Sequence, residues 1–89
     1  MEENKLIAEF MGIPNYKQGR YLMFEYADNN HRTEQDLAYH ISWDWLIPVV
    51  EKCFQKEGKH YLINDALLTI NIDEVHEAVV KFIKQSNKQ

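Results

Sequence analysis

The sequence predicts a small α+β domain with three helices and an antiparallel sheet of about three strands. Its 89 residues are enough for one domain, residues 1–89, and too few for two. In three stretches the apolar residues recur at a spacing of three to four, which indicates amphipathic helices. Two further stretches alternate between two faces, which indicates a strand and a hairpin. The expected order of elements is α-β-α-β-β-α.

The N-terminal part of the chain is predicted to hold one helix and one strand. Residues 4–11 have the apolar spacing of a helix, and Gly12 stands where a left-handed residue commonly ends one. Residues 13–19 are predicted to be a loop, and residues 20–26 alternate as a strand does. Residues 27–36 are polar, so we expect an exposed, mobile loop there.

The second helix is predicted to begin at Ser42, a favourable N-cap residue, and to end at Gly58. Pro48 lies too deep for the first turn, and it removes one backbone hydrogen bond. A single kinked helix is narrowly favoured over a separate turn at 42–46 with a helix that starts at Pro48. The expected buried stripe is Leu46, Val49, Val50, Cys53 and Phe54.

The last third of the chain is predicted to form a hairpin and a helix. The hairpin would span residues 59–72 and turn at Asn64-Asp65. Asp73 would then cap a helix over 74–86. We expect an i,i+4 ion pair between Glu77 and Lys81, and a frayed tail over residues 87–89. The predicted buried side of this helix is Val75, Ala78, Val79, Phe82 and Ile83.

Charge and composition limit the possible partners. A net charge of −4 disfavours nucleic-acid binding, which depends on Lys and Arg that neutralise phosphates. The short basic run of Lys81, Lys84 and Lys88 is best explained as a solvated helix end. No apolar run approaches the ~20 residues that span a bilayer, so we expect no membrane insertion. The acidic start and the single cysteine favour the cytoplasm.

Side chains that carry chemistry form no catalytic or metal-binding signature. The four histidines do not occur as H-x-H or H-E-x-x-H, and one cysteine cannot make a Cys pair. Cys53 falls on the apolar stripe of the second helix, where a buried thiol is the ordinary interpretation. Ser42 is better explained as a cap than as a nucleophile. We therefore predict no catalytic residue, no metal and no cofactor.

Residues 39–45, here called the aromatic segment, combine both tryptophans with a tyrosine and a histidine where a loop meets a helix. Trp and Tyr are favoured at binding hot spots, so the segment is a candidate binding surface. The alternative is a core anchor, which helical spacing favours for Trp43 because it shares a face with Leu46 and Val50. Trp45 points about 200° away from Trp43, so both interpretations stay open for it. The candidate binding residues are Tyr39, His40, Trp43, Asp44 and Trp45.

Three blocks of the sequence resemble the phage ABA sandwich domain family. They are NKLIAEFMG at 4–12, YHISWDWLIPVVEK at 39–52 and VHEAVVKFIK at 75–84. The resemblance implies a small α/β/α sandwich encoded by phages or by bacteria that carry prophages. It implies no activity, cofactor or catalytic residue. Residues 27–36 depart from the family's pattern, so no function seated there carries over.

The leading functional hypothesis is a non-catalytic phage or prophage accessory protein that binds a host or phage protein. The alternative is a small enzyme or ligand-binding domain with a pocket around Tyr39, His40 and Asp44 at the start of the second helix. A nucleic-acid binder is a weaker third hypothesis. A homodimer formed through Trp45 or a bare strand edge also stays open.

Overall fold

The α+β class predicted from the sequence is confirmed by the structure. A computed structural model describes residues 2–27, 30–58 and 60–87 of the chain. These residues hold four α-helices, a three-stranded antiparallel sheet and one short 3-10 helix. The chain divides into two compact units, one that ends at Leu37 and one that begins at Ala38. That residues 1–89 form a single domain stays a prediction.

Helix α1, Glu2–Phe10, is the helix predicted at residues 4–11. Its two leading glutamates favour the positive end of the helix dipole. Gly12 has a φ of +75° and ends the helix in the left-handed conformation, as predicted. The Gly12 amide donates to the backbone carbonyl of Glu9, and the Ile13 amide donates to the backbone carbonyl of Ala8, each at 3.0 Å. These two bonds form a Schellman motif, which satisfies carbonyls that the helix leaves open.

The sheet consists of β1, Asn15–Gln18, β2, Tyr21–Glu25, and β3, His31–Thr33, in the order β1-β2-β3. The strand predicted at residues 20–26 is confirmed as β2, and its Phe24 side chain is buried. Gly19, with a φ of +62°, supplies the positive φ that the two-residue loop between β1 and β2 requires.

Two predicted loops in this part of the chain are wrong. The stretch 13–19 contains β1, and the stretch 27–36 contains β3 and the 3-10 helix Glu34–Asp36. Every residue of β1 is exposed, so no alternation of apolar side chains marks it as a strand. β1 and β3 are instead held by backbone hydrogen bonds to the two edges of the central strand β2. Residues 28 and 29 of the predicted loop lie outside the described residues.

Side-chain contacts support the pairing of these polar strands. A hydrogen bond of 2.7 Å joins the Tyr16 hydroxyl on β1 to Nδ1 of His31 on β3, and the two rings meet edge to face. The guanidinium of Arg32 lies 5.0 Å from the centre of the Tyr26 ring. At the end of β3, the Thr33 hydroxyl donates to the Asp36 carboxylate at 2.9 Å. The periodicity of apolar residues does not predict polar contacts of this kind.

Helix α2, Trp43–Gln55, follows Ser42, which holds the predicted N-cap position, although its hydroxyl makes no capping hydrogen bond. Pro48 lies inside this helix, so the alternative in which the helix starts at Pro48 is wrong. Pro48 is exposed, which allows water to satisfy the carbonyl that the proline leaves open. The helix ends before the predicted stop at Gly58. The predicted stripe is buried at Leu46, Val49, Val50 and Cys53, whereas Phe54 is partly exposed.

The hairpin predicted at residues 59–72 is wrong, because this segment forms helix α3, Tyr61–Leu68. Asn64-Asp65 lacks the glycine that usually completes a two-residue hairpin turn. The apolar run also has a helical spacing, with Ile63 fully buried and Leu67 half-buried four residues later. Packing against the last helix selects the helical period. Residue 59 lies outside the described residues.

His60 organises the connection between α2 and α3. Its Nε2–H donates to the Lys56 carbonyl at 2.8 Å. Its ring packs against Phe54 and Phe82, with ring centres 5.3 and 5.2 Å away. Gly58 belongs to the same corner, since a Cβ at that position would lie 3.0 Å from the Phe82 ring. His60 falls within the first strand of the hairpin predicted at residues 59–72, so its place directly before α3 is a correction.

Helix α4, Ile72–Asn87, confirms the predicted last helix, but its cap is different. The Asn71 side-chain oxygen accepts hydrogen bonds from the amides of Asp73 and Glu74, at 2.9 and 3.4 Å. Asn71 is therefore the N-cap, and the prediction of Asp73 in that role is wrong. Residues 88 and 89 of the predicted tail lie outside the described residues. The predicted buried side is confirmed at Val75, Ala78, Val79, Phe82 and Ile83.

The element order of the described residues corrects the prediction of α-β-α-β-β-α with three helices. The order is α1, β1, β2, β3, the 3-10 helix, α2, α3 and α4. Within the second unit, α4 packs against both α2 and α3. The predicted ion pair between Glu77 and Lys81 is confirmed at 3.2 Å. None of the described helices is long and apolar enough to cross a membrane.

Candidate functional site

The aromatic segment is held by a tight turn that leads into α2. The amides of Ile41 and Ser42 both donate to the Ala38 carbonyl, at 3.1 and 3.0 Å. The amides of Trp45 and Leu46 then donate to the Ser42 carbonyl, which starts the helix. The backbone of the segment is therefore fixed at both ends by hydrogen bonds, and its side chains project from a defined frame.

Tyr39 and Trp45 form the packed base of the aromatic segment. Their ring centres lie 5.2 Å apart with an interplanar angle of 84°, an edge-to-face arrangement. Tyr39 is buried and Trp45 is half-buried. Such aromatic pairs contribute about 0.5–1.5 kcal/mol beyond the area that they bury. The contact gives Trp45 a fixed orientation with part of its ring at the surface.

His40, in the turn that precedes α2, lies beside a histidine on α4 of the same unit. The rings of His40 and His76 are 6.1 Å apart, with an interplanar angle of 64°. His76 is buried on α4, although it is not among the residues predicted on the buried side of that helix. Its spacing of three and seven residues from the buried Val79 and Ile83 is a signal of burial in the sequence. Among the described residues, no group of three or more His, Cys, Asp and Glu side chains could hold a metal ion.

The exposed part of the aromatic segment is centred on Ile41. This side chain is 70% exposed, Asp44 is exposed, and Trp43 is half-buried. Ile41 directly precedes the N-cap, where an apolar residue commonly packs against the fourth helical residue, here Leu46. Leu46 is fully buried while Ile41 is not, so the usual staple does not cover Ile41.

Ile41 is the residue of this site that the sequence analysis missed. The predicted binding residues are Tyr39, His40, Trp43, Asp44 and Trp45. Ile41 is not among them because it is neither aromatic nor polar. The structure brings Tyr39 and Trp45 into contact, places His40 beside His76, and leaves Asp44 at the surface. An isoleucine in a turn directly before a cap is a signal that sequence inspection could have used.

Two surface clefts are lined by residues outside the aromatic segment. One, of about 300 Å³, lies in the first unit and is lined by Glu2, Lys5, Leu6, Glu9 and Glu34. The other, of about 250 Å³, lies between α3 and α4 in the second unit. Neither cleft includes His40 or Asp44 in its lining. The predicted pocket around Tyr39, His40 and Asp44 stays a prediction.

Cys53 is unsuited to nucleophilic chemistry in the folded protein. Burial raises the pKa of its thiol from 9.0 to about 11, and the nearby charge of Lys52 only partly offsets this. The thiolate is the reactive form of cysteine, so at neutral pH the thiol is protonated and inert. The interpretation of Cys53 as a buried thiol on the apolar stripe of α2 is confirmed.

No family model, curated protein or solved structure matches this chain.

Proposed function

We propose that this protein is a non-catalytic binding protein that contacts another protein through the aromatic segment. The observation that carries the proposal is the 70% exposure of Ile41, which lies in the same short segment as Tyr39 and Trp45, whose rings pack edge to face. Aromatic side chains are enriched at the centres of binding surfaces, and an exposed apolar side chain in the same segment adds area that a partner can bury. The rigid frame reduces the entropy lost on binding.

The chemistry of the described residues supports binding over catalysis. The one cysteine is buried and protonated at neutral pH, which removes the strongest nucleophile in the chain. Tyr39, a member of the alternative pocket, is buried against Trp45. In our proposal its role is therefore to orient the tryptophan.

The resemblance to the phage ABA sandwich domain family supplies the biological setting of the proposal. On that basis, the protein is a phage or prophage accessory protein in the bacterial cytoplasm, with an α/β/α arrangement of layers. Its partner is then a host or phage protein. Three sequence blocks carry this resemblance, and the aromatic segment lies in the second of them, residues 39–52.

A photo-crosslinking amino acid at position 41 tests the proposal directly. The protein would be produced in bacterial cells and irradiated, and the crosslinked products would be identified by mass spectrometry. We expect a defined protein partner from position 41 and no such product from position 55. Gln55 is a matched control because it is exposed at the other end of α2, about 20 Å along the helix.

The result also separates the competing partners. A product of the protein with itself would make the aromatic segment a homodimer contact. The same products from both positions, or none from position 41, would contradict a binding role for the segment. Trp45→Ala should reduce the yield from position 41, because it removes the ring that packs on Tyr39.

A further inference from the structure

A second apolar surface lies on the outer side of α3 and in the turn that follows it. Tyr61 is 57% exposed, and Leu68 and Ile70 are each 82% exposed. Tyr61 and Leu68 are seven residues apart, which places them on one side of the helix. A cluster of large exposed apolar side chains is a common mark of an interaction site. We call these three residues the α3 face.

Ile70 adds a second unusual feature to the α3 face. Its φ of +55° is the left-handed conformation, which a β-branched residue rarely adopts. The residue follows the C-cap of α3, where glycine is the usual choice. Neither the backbone conformation nor the exposed side chain favours isoleucine for stability. A contact made outside the folded chain is a reason for isoleucine at this position.

The cleft between α3 and α4 has a negative charge, and it borders the α3 face because its lining residue Thr69 lies between Leu68 and Ile70 in the chain. Its wall on α3 includes Asp65, which lies between Tyr61 and Leu68 in the sequence and faces away from the buried Ile63. Three carboxylates line the cleft against one ammonium group, Lys81, which already pairs with Glu77 at 3.2 Å. The full lining is Leu62, Asp65, Ala66, Thr69, Glu74, Glu77, Ala78 and Lys81.

We propose that the α3 face and this cleft together bind a basic amphipathic segment of a partner protein. Apolar side chains of that segment cover Tyr61, Leu68 and Ile70. One arginine side chain enters the cleft, with its methylene groups on the apolar wall and its guanidinium between Asp65 and Glu74. At about 250 Å³, the cleft is smaller than the ~300–1,000 Å³ pockets of most small-molecule sites, and one long side chain suits it better.

Charge complementarity selects this occupant over a second copy of the chain. In a two-fold symmetric dimer the same patch is used by both subunits, so two acidic clefts would be brought into one interface with no added basic group. The net charge of −4 adds to that repulsion. Arginine fits better than lysine because its planar guanidinium can bind carboxylates in a bidentate manner. The proposal is independent of the function proposed for the aromatic segment, since it uses different residues.

Nuclear magnetic resonance titration of the ¹⁵N-labelled full chain tests the proposal. The probe is a short amidated amphipathic peptide of leucine and arginine. We expect chemical-shift changes confined to α3, the turn at Ile70 and the first half of α4, and an affinity that falls as salt is added. Two control peptides, one with glutamate for arginine and one with serine for leucine, should cause little change.

Variants locate the contact within the cleft. Asp65→Asn should weaken peptide binding about tenfold, because a charge-assisted hydrogen bond is lost. Glu51→Gln is the matched control, since it removes one exposed carboxylate from α2 and should leave binding unchanged. Ile70→Gly should also weaken binding while the protein stays folded, because glycine suits the left-handed conformation. The spectra of the free variants verify that each is folded.

Several results would overturn the proposal. If the glutamate peptide bound as tightly as the arginine peptide, the acidic cleft would have no role. If the serine peptide bound as tightly as the leucine peptide, the α3 face would have no role. Shift changes centred on the aromatic segment would move the site elsewhere. Equal losses of peptide affinity in Asp65→Asn and Glu51→Gln would show that binding depends on net charge alone and not on the cleft. Sedimentation that shows a dimer formed through the α3 face would assign that surface to a second copy.

Discussion

At the residue scale, single positions depart from the choice that stability alone would favour. Ile70 adopts a left-handed backbone that glycine would occupy without strain. Ile41 stays exposed where the capping geometry offers a buried alternative. Both are isoleucines in turns of the second unit, and both belong to a proposed binding surface. Neither would attract notice in a search for catalytic residue types.

Ile70→Gly should raise the free energy of unfolding by about 1 kcal/mol, since the left-handed conformation costs a β-branched residue roughly 1–2 kcal/mol. Urea denaturation followed by circular dichroism measures the change. Ile70→Ala is the control, because alanine keeps a Cβ in the same strained backbone and should gain much less. Equal stability of the glycine variant and the parent would show that position 70 is not strained.

Cys53 gives a pH-dependent prediction with a defined sign. Its folded-state pKa of about 11 lies above the ordinary value of 9.0, so its contribution to stability is complete below pH 9. That contribution is lost as the pH rises from 9 toward 11, because the unfolded chain releases the proton first. Urea midpoints across this range should fall more steeply for the parent than for Cys53→Ala.

The same thiol offers a direct check at constant pH. At pH 8 an alkylating reagent should react slowly with the native protein and rapidly in urea, because the folded state buries the protonated thiol. Rapid alkylation of the native protein would contradict the burial of Cys53.

At the element scale, helices with one clear apolar face were predictable and polar strands were not. α1, α2 and α4 show the helical spacing of apolar residues, and β2 shows alternation. β1 has the sequence NYKQ and β3 the sequence HRT, in which nothing apolar marks a face. Their strand structure depends on hydrogen bonds to β2, which local sequence does not encode.

The start of α4 shows how two good caps compete. Asn71 and Asp73 are both favourable N-cap residues, and the hydrogen bonds from the amides of Asp73 and Glu74 go to Asn71. Asn71→Ala should therefore lower the free energy of unfolding by about 1 kcal/mol. Asp73→Ala should cost less than half of that, because Asp73 contributes mainly through the helix dipole.

Thermal and urea denaturation of the two variants provide the measurement. The parent and Asp73→Asn serve as controls, since the latter removes the charge and keeps the size of the side chain. A larger loss in Asp73→Ala than in Asn71→Ala would favour the cap predicted from the sequence.

At the scale of the whole molecule, the charge is the property that best limits partners. The net charge of −4 and the acidic α3–α4 cleft favour partners with basic groups. We expect no salt-dependent retention on immobilised DNA or RNA, because 14 Asp and Glu residues outnumber the 10 Lys and Arg residues that could neutralise phosphates. Retention that weakens as salt is added would contradict this. On a column that carries basic peptides, by contrast, we expect the protein to be retained at low salt and released as salt is added.

The sequence by itself determined the α+β class, three of the helices, the central strand and most of the apolar core. Local periodicity is enough for these, because each buries one regular face. Tertiary structure decided that residues 61–68 are helical, since their apolar run fits a period of either two or 3.6 until α4 packs against it. It also decided which polar segments pair as strands. The same holds for the packing of the buried Tyr39 ring against Trp45 and for the exposure of Ile41. These outcomes depend on residues distant in sequence or on competing local partners, and a pattern read along one segment does not contain them.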